Sequence, residues 1–257
     1  MVTSNLAEAR PAATVIVMRP STRSHHLSRD ESSLRTSALS DSFEILMVRR
    51  NDKVAFMAGS YVFPGGRVDA ADHPAAGVAL PPPTFVDLTP SLEAAYRTAA
   101  VRELQEEANV VITTGDLHPY AHWVTPEIEI RRYDTRFFLA RMPDGQTAKH
   151  DEGETTALEW LAPREAIRRF ERRELLLPPP TFTTIRQLAH RSSIDDVLAW
   201  AKTRRIARVM PGFIKTGDEV MLTLPGDPLF PTIPDWEVPE ETRFVLEDGA
   251  RWRPLKA

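Results

Sequence analysis

The sequence predicts an α/β protein, on three observations. Short β-branched segments stand at residues 12–18 and 43–48. A segment near 90–109 repeats its apolar residues at helical spacing. Two further strand-like segments, 120–125 and 133–141, follow it and look paired.

The chain of 257 residues suits one large domain, or one domain with an appendage. A net charge of −4 gives no support to a nucleic-acid partner. The absence of cysteine excludes disulfides, thiol catalysis and thiolate metal centres. No apolar run approaches the ~18–20 residues that span a bilayer. The apolar stretch 11–18, between Arg10 and Arg19, lacks the layout of a signal peptide. A soluble cytoplasmic protein without membrane contact is expected.

In chain order, the segment 12–18 is the first strand and 43–48 the second. The polar, Ser-rich stretch 20–42 between them has no period, so it reads as a flexible loop swelling a hairpin. Residues 61–66 end a short apolar segment in Pro64-Gly65-Gly66, a strong turn signal. Residues 67–90 carry no period and read as a loop. Thr89 then offers an N-cap and Pro90 a first helical position. Leu92, Ala95, Tyr96, Ala99, Ala100 and Leu104 make the core-facing stripe of the helix that follows. Asn109 tolerates the left-handed conformation that ends it, and residues 110–112 read as the start of a strand. Further on, 156–161 reads as a strand, 163–170 as a short helix, and 181–191 and 193–208 as helices, with Ser193 and Asp196 as a capping box. Strands and turns alternate to the end, at 219–224 and across 243–253 with a turn at Asp248-Gly249. The best boundary lies near 178. It divides a domain at 10–177 from an extension at 178–257, which is expected to pack on that domain rather than fold alone.

The helix ends in Arg102-Glu103-Leu104-Gln105-Glu106-Glu107. Residues three and four apart share a helix face, so Glu103 lies beside both Glu106 and Glu107. Such carboxylates repel by a few tenths of a kcal/mol per exposed pair. A hard divalent cation would offset this, since Mg²⁺ takes oxygen ligands and keeps waters for substrate phosphates. A solvated acidic face is the alternative. Upstream, the Gly65-Gly66 pair lets backbone approach a ligand or metal and offers a bare carbonyl.

Together these segments resemble the Nudix hydrolases, whose signature is G-x5-E-x7-R-E-U-x-E-E-x-G-U, with U a bulky aliphatic. Gly66 fits the first Gly, and Arg102 to Val110 fit the second half, with Asn109 for the final Gly. Gly66 and Arg102 stand 36 positions apart against 14 in the signature, so 22 residues are inserted, within 67–90. Counted back from Arg102, the middle Glu of the signature falls on Ala94. The neighbouring Glu93 points about 100° away on a helix. The chain is therefore expected to lack the acid that usually orients the Arg. The interrupted signature, with residues 56–66, Asp69 and Asp72, 123–126, 132–138, 151–154, Trp160 and 177–181, is similar to one branch of the family. That branch holds the animal peroxisomal CoA diphosphatases and bacterial relatives. The chain ends in Leu-Lys-Ala rather than Ser-Lys-Leu, so no peroxisomal address is expected.

The resemblance implies an α/β/α sandwich with a mixed sheet. It implies hydrolysis of a diphosphate linkage in a small nucleotide-type substrate, with Mg²⁺ or Mn²⁺ as cofactor. It assigns Glu103, Glu106, Glu107 and the Gly65 carbonyl to the metal. The catalytic group is Glu103, Glu106, Glu107 and Arg102, with Glu154 from a loop outside the signature as a further acid. CoA or acyl-CoA leads as substrate, with Arg49, Arg50 and Arg132 as candidate anion binders. ADP-ribose, NADH or nucleotide sugars, or a module that senses a nucleotide without cleaving it, are the alternatives. Many family members form homodimers, but nothing in the sequence fixes an interface.

Overall fold

A computed structural model describes residues 7–22, 42–51, 57–150, 155–248 and 251–256. Strand β1 (Arg10–Pro20) lies at the centre of a mixed sheet. It runs parallel to β6 (Tyr133–Arg141), in register from Arg10 with Tyr133 to Met18 with Arg141. On its other edge it is shared. Its C-terminal end pairs antiparallel with β2 (Phe43–Arg50), and its N-terminal end with the short β4 (Gly65–Arg67). Strand β3 (Tyr61–Val62) and strand β7 (Thr155–Leu161) flank β2. Strand β5 (His118–Val124) extends the far side beyond β6, and β8 (Arg208–Val209) closes it.

The sheet is covered on both faces, and the alternation along β1 shows why. Ala13, Val15 and Val17 face α1 (Pro90–Ala108), where Tyr96, Ala99, Ala100 and Leu104 are buried. Ile16 and Met18 face the opposite layer of α2 (Pro163–Glu171), α3 (Pro179–Ala189) and α4 (Ile194–Thr203). Burying each large side chain of this kind contributes about 1.5–3 kcal/mol. The expected α/β/α sandwich is the observed one. Among the described residues, no helix is long and apolar enough to cross a membrane.

The ends of α1 follow from its sequence. The Thr89 hydroxyl accepts from the Leu92 amide at 3.2 Å. Asn109 takes φ 52° and ψ 36°, and its amide donates to the Gln105 carbonyl at 2.9 Å. Asn109→Ala is expected to cost about 1 kcal/mol, read as a Tm lower by about 2–4 °C, whereas Asn109→Gly leaves Tm unchanged within that interval.

Three segments depart from the expectation. Residues 110–112 are not a strand; the strand starts at His118. Residues 67–90 are more than a loop. A single 3-10 turn covers Ala70–Asp72, and Phe85 and Leu88 are buried on the α1 face, with Phe85 edge-on to Phe138 at 5.7 Å. The last helix stops at Thr203. At its start the Ser193 hydroxyl accepts from the Asp196 amide, while the Asp196 carboxylate turns to Ser192, so only half of the expected box forms. The span expected to be a flexible loop has residues 23–41 outside the described part.

Residues 212–255 form a second, antiparallel sheet in the order β12 (Arg251–Leu255), β11 (Arg243–Glu247), β10 (Glu219–Thr223), β9 (Gly212–Thr216). Directly opposed residues share a face. Leu222 opposes Phe244, and Leu246 opposes Trp252. Leu222 and Phe244 enter the core beside Phe182, whose ring meets that of Phe244 edge-on at 5.8 Å. The C-terminal strands therefore share their core with the helical layer.

Candidate functional site

The site begins with backbone. Thr14 pairs with Gly65 and Ala13 with Gly66, which sets the glycine pair against the start of β1. A Cβ on Gly65 would stand 2.3 Å from the Ala13 carbonyl oxygen, so only glycine fits this approach. A Cβ on Gly66 would stand 2.3 Å from the Glu103 carboxylate. The bare face of Gly66 is thus the bed on which Glu103 rests. The Gly65 amide donates to Glu107 Oε2 at 2.9 Å.

Arg102 ties the acids together. Its Nη1 donates to Glu103 Oε1 at 2.9 Å and to Glu106 Oε2 at 3.3 Å, and its Nη2 donates to the Arg67 carbonyl at 2.9 Å. Its other edge is held by Asp72: Nε donates to Oδ1 at 3.0 Å and Nη2 to Oδ2 at 2.9 Å, a two-pronged pair. Asp72 is 3% exposed and also accepts from the Asp69 amide at 2.8 Å. Burial alone would raise the Asp72 pKa. The bond from Arg102 and the Asp69 amide outweigh it, so the carboxyl sits below the usual range. Arg102 in turn is raised, first by Asp72.

This overturns the expectation that the acid orienting Arg102 is missing. The orienting acid is Asp72, six positions after Gly66, where the signature G-x5-E places it. The insertion follows that acid instead of preceding it. Counting forward from Gly66 would have found it. Glu93, the neighbour of Ala94, has a different task. It is 4% exposed and accepts from the Thr84 amide at 2.6 Å, the Phe85 amide at 3.0 Å and Arg97 Nε at 2.9 Å, which fastens the end of the insertion to α1.

Gly65, Gly66, Arg102, Glu103, Glu106 and Glu107 line one cleft of about 1070 Å³. Arg50 joins them there, and Arg49 does not. Consecutive residues of a strand point to opposite faces, so the two side chains part, and the pairing of β2 with β7 also slips between them. Arg49 Nη1 donates to the Thr156 hydroxyl at 3.1 Å, while Arg50 Nε is buried without a hydrogen-bond partner among the described residues. Arg132 is also placed elsewhere. It is 9% exposed and donates to the carbonyls of Ala7 at 2.7 Å and Thr125 at 3.2 Å, a brace for the chain entering β1. Neither Arg49 nor Arg132 lines the cleft. Glu154 lies outside the described residues.

Arg136 and His122 lie outside the cleft, on the α1 face of the sheet, where Arg136 stacks over Phe85 and Tyr96. Arg136 Nη1 donates to Asp87 Oδ1 at 2.9 Å and Nη2 to Asp87 Oδ2 at 2.7 Å. Arg136 Nη1 also stands 2.7 Å from His122 Nδ1, and His122 Nε2 stands 3.0 Å from Asp134 Oδ1. An arginine can only donate, so Nδ1 accepts and Nε2 carries the proton. The imidazole is neutral, and burial holds its pKa below the usual value.

No three of the His, Asp and Glu side chains converge as a ready metal cage among the described residues. The geometry explains this, because Arg102 bridges Glu103 and Glu106 and Glu107 turns to an amide. The donor chemistry nonetheless suits a hard divalent cation. Three carboxylates lie within one turn of helix, beside a glycine face with no side chain to obstruct them.

A family model described as the NUDT19 Nudix domain matches residues 114–188, C-terminal to the acidic helix. The chain is 26% identical to the acyl-coenzyme A diphosphatase NUDT19 of Homo sapiens, over 84% of this chain and 81% of that protein. It is 26% identical to the protein of the same name from Gallus gallus, over 80% and 79%. A solved structure of a NUDIX hydrolase from Alicyclobacillus acidocaldarius superposes on 75% of this chain and 96% of its own, with a TM-score of 0.56 at 20% identity.

Proposed function

We propose that the chain is a Nudix hydrolase resembling the CoA diphosphatases, and that it hydrolyses the diphosphate of CoA and acyl-CoA esters with Mg²⁺ or Mn²⁺ held by Glu103, Glu106, Glu107 and the Gly65 carbonyl. One observation carries the assignment. The interrupted signature closes in space, with Asp72 fixing Arg102 and Gly66 bedding Glu103 at the wall of a single cleft. The names of the relatives favour CoA as substrate.

Each residue then has a task. Asp72 fixes the guanidinium of Arg102, and Arg102 keeps the carboxylates of Glu103 and Glu106 on the cleft side of α1. The cation, when bound, supplies charge for the phosphate oxygens and a lowered water pKa. Glu103 lies against Gly66, where its carboxylate can take the proton of the attacking water. Glu154 is the proposed further acid. Arg50, with its Nε buried and unpartnered, receives an anionic group of the substrate. A buried donor of this kind is stabilised when a phosphate oxygen reaches it.

The test is a panel of CoA, acetyl-CoA, ADP-ribose, NADH and UDP-glucose, with Mg²⁺ and then Mn²⁺, read by product mass. Release of 3′,5′-ADP and 4′-phosphopantetheine from CoA is the expected result. Cleavage of ADP-ribose or UDP-glucose alone would discard the CoA assignment. Binding without cleavage of any member would favour the sensing module. Within the same panel, Arg50→Ala is expected to raise KM for CoA about tenfold with kcat little changed, the pattern of lost ground-state binding. A KM equal to that of the wild type removes Arg50 from the binding site.

A further inference from the structure

The cleft has two chemically different ends, and the C-terminal sheet builds one of them. Toward α1 its wall carries the acids and Arg102. Away from them it is lined by Trp123, Phe137, Leu177, Leu222, Leu246 and Trp252. Trp123, Phe137, Leu177 and Leu222 are nearly fully buried and anchored in the core. Leu246 and Trp252 are only half-buried and stand side by side on β11 and β12, on the sheet face that Leu222 and Phe244 send into the core. Two residues further along β11, that face passes from closed core to open cleft.

We propose that this apolar wall is a subsite for the acyl chain of a CoA thioester, with Leu246 and Trp252 setting the chain length it accepts. The inference rests on the CoA reading above. Three observations support it. A volume of about 1070 Å³ lies just above the ~300–1,000 Å³ range for small-molecule sites, so it has room beyond a diphosphate. The apolar end is continuous with the acidic end, so one extended molecule can reach both. A thioester also carries its hydrocarbon at the opposite end of a long arm from its diphosphate, which matches the polarity of the cleft. An arm without hydrocarbon would leave Leu246 and Trp252 facing water.

Binding is measured by calorimetry on the metal-free protein, so that no turnover is needed. Ligands are CoA, acetyl-CoA, hexanoyl-CoA and decanoyl-CoA. The expected result is a Kd that falls roughly tenfold or more from acetyl- to decanoyl-CoA, since each buried methylene adds to affinity. In Leu246→Trp, which fills the end of the wall, the fall is expected to shrink below about threefold. In Leu246→Ala the longest chain is accepted at least as well as by the wild type. The wild-type series alone is decisive if a variant fails to fold. A Kd independent of chain length overturns the inference, as does a length dependence that Leu246→Trp leaves intact. Turnover with Mg²⁺ separates the two readings. Length-dependent binding without cleavage sinks the diphosphatase assignment and keeps the subsite; cleavage of CoA with no length dependence does the reverse.

Discussion

Glu106→Gln is expected to lose about a thousandfold in kcat, the several kcal/mol that a positioned cation supplies in phosphoryl chemistry, and to melt at the temperature of the wild type. The two halves of that statement have separate grounds. The Glu106 carboxylate is 59% exposed and makes a long 3.3 Å contact to Arg102. Exposed pairs of this kind contribute about 0–1 kcal/mol. Removing the charge also relieves its repulsion by Glu103, so the fold has little to lose. The change does remove an anionic oxygen donor from the cleft wall. Steady-state turnover and a thermal melt on one sample decide the matter. Equal turnover would sink the metal assignment, and a collapse of Tm would show a structural role instead. Calorimetric titration with Mn²⁺ gives a third reading, expected to show weakened binding in the variant.

Asp72→Asn should damage both stability and turnover. Asp72 is buried and gives Arg102 both carboxylate oxygens, so the amide can keep one bond and must spoil the other. A cost of about 2 kcal/mol is expected for weakening a buried charged pair. The loss in kcat is expected at 10–100-fold, the range for partners that orient metal-site residues. Asp72→Glu should recover part of the activity and less of the stability, since the longer acid must fit the 3-10 turn. Glu93→Gln is the control. It loosens the fastening of Thr84 and Phe85 and lowers Tm, but it touches none of the acids of the cleft. If both variants lower kcat equally, Asp72 has no special link to the site.

The contrast between these acids also shows what the sequence could reveal. The layers were legible because their signals are local. The 3–4 stripe of α1, the Thr89 cap and the left-handed Asn109 each depend on a few neighbouring residues. The acidic turn was legible for the same reason. Asp72 was missed because 22 inserted residues break the count from one side, while the count from Gly66 stays intact. That Arg49 and Arg50 point apart follows from strand alternation, but which of them meets the cleft could not be read, since it depends on what packs on each face of β2. The apolar face of β10–β12 alternates visibly, but what it faces is decided by tertiary packing on Phe182. Arg132 looked like an anion binder because a charged residue at a strand end usually meets water, whereas here it is covered by the incoming chain.

The fastening at both ends of the insertion has a consequence for engineering. Asp72 and Glu93 hold the chain where it leaves the site and where it rejoins the helix, so residues 73–83 are bracketed by their own anchors. Loop closure grows only with the logarithm of length, about 0.6 kcal/mol per doubling. That stretch is therefore a natural port for grafting. A tag, a fluorophore or a small folded module spliced between residue 73 and residue 83 would hang from two fixed posts, with the carboxylates behind them undisturbed.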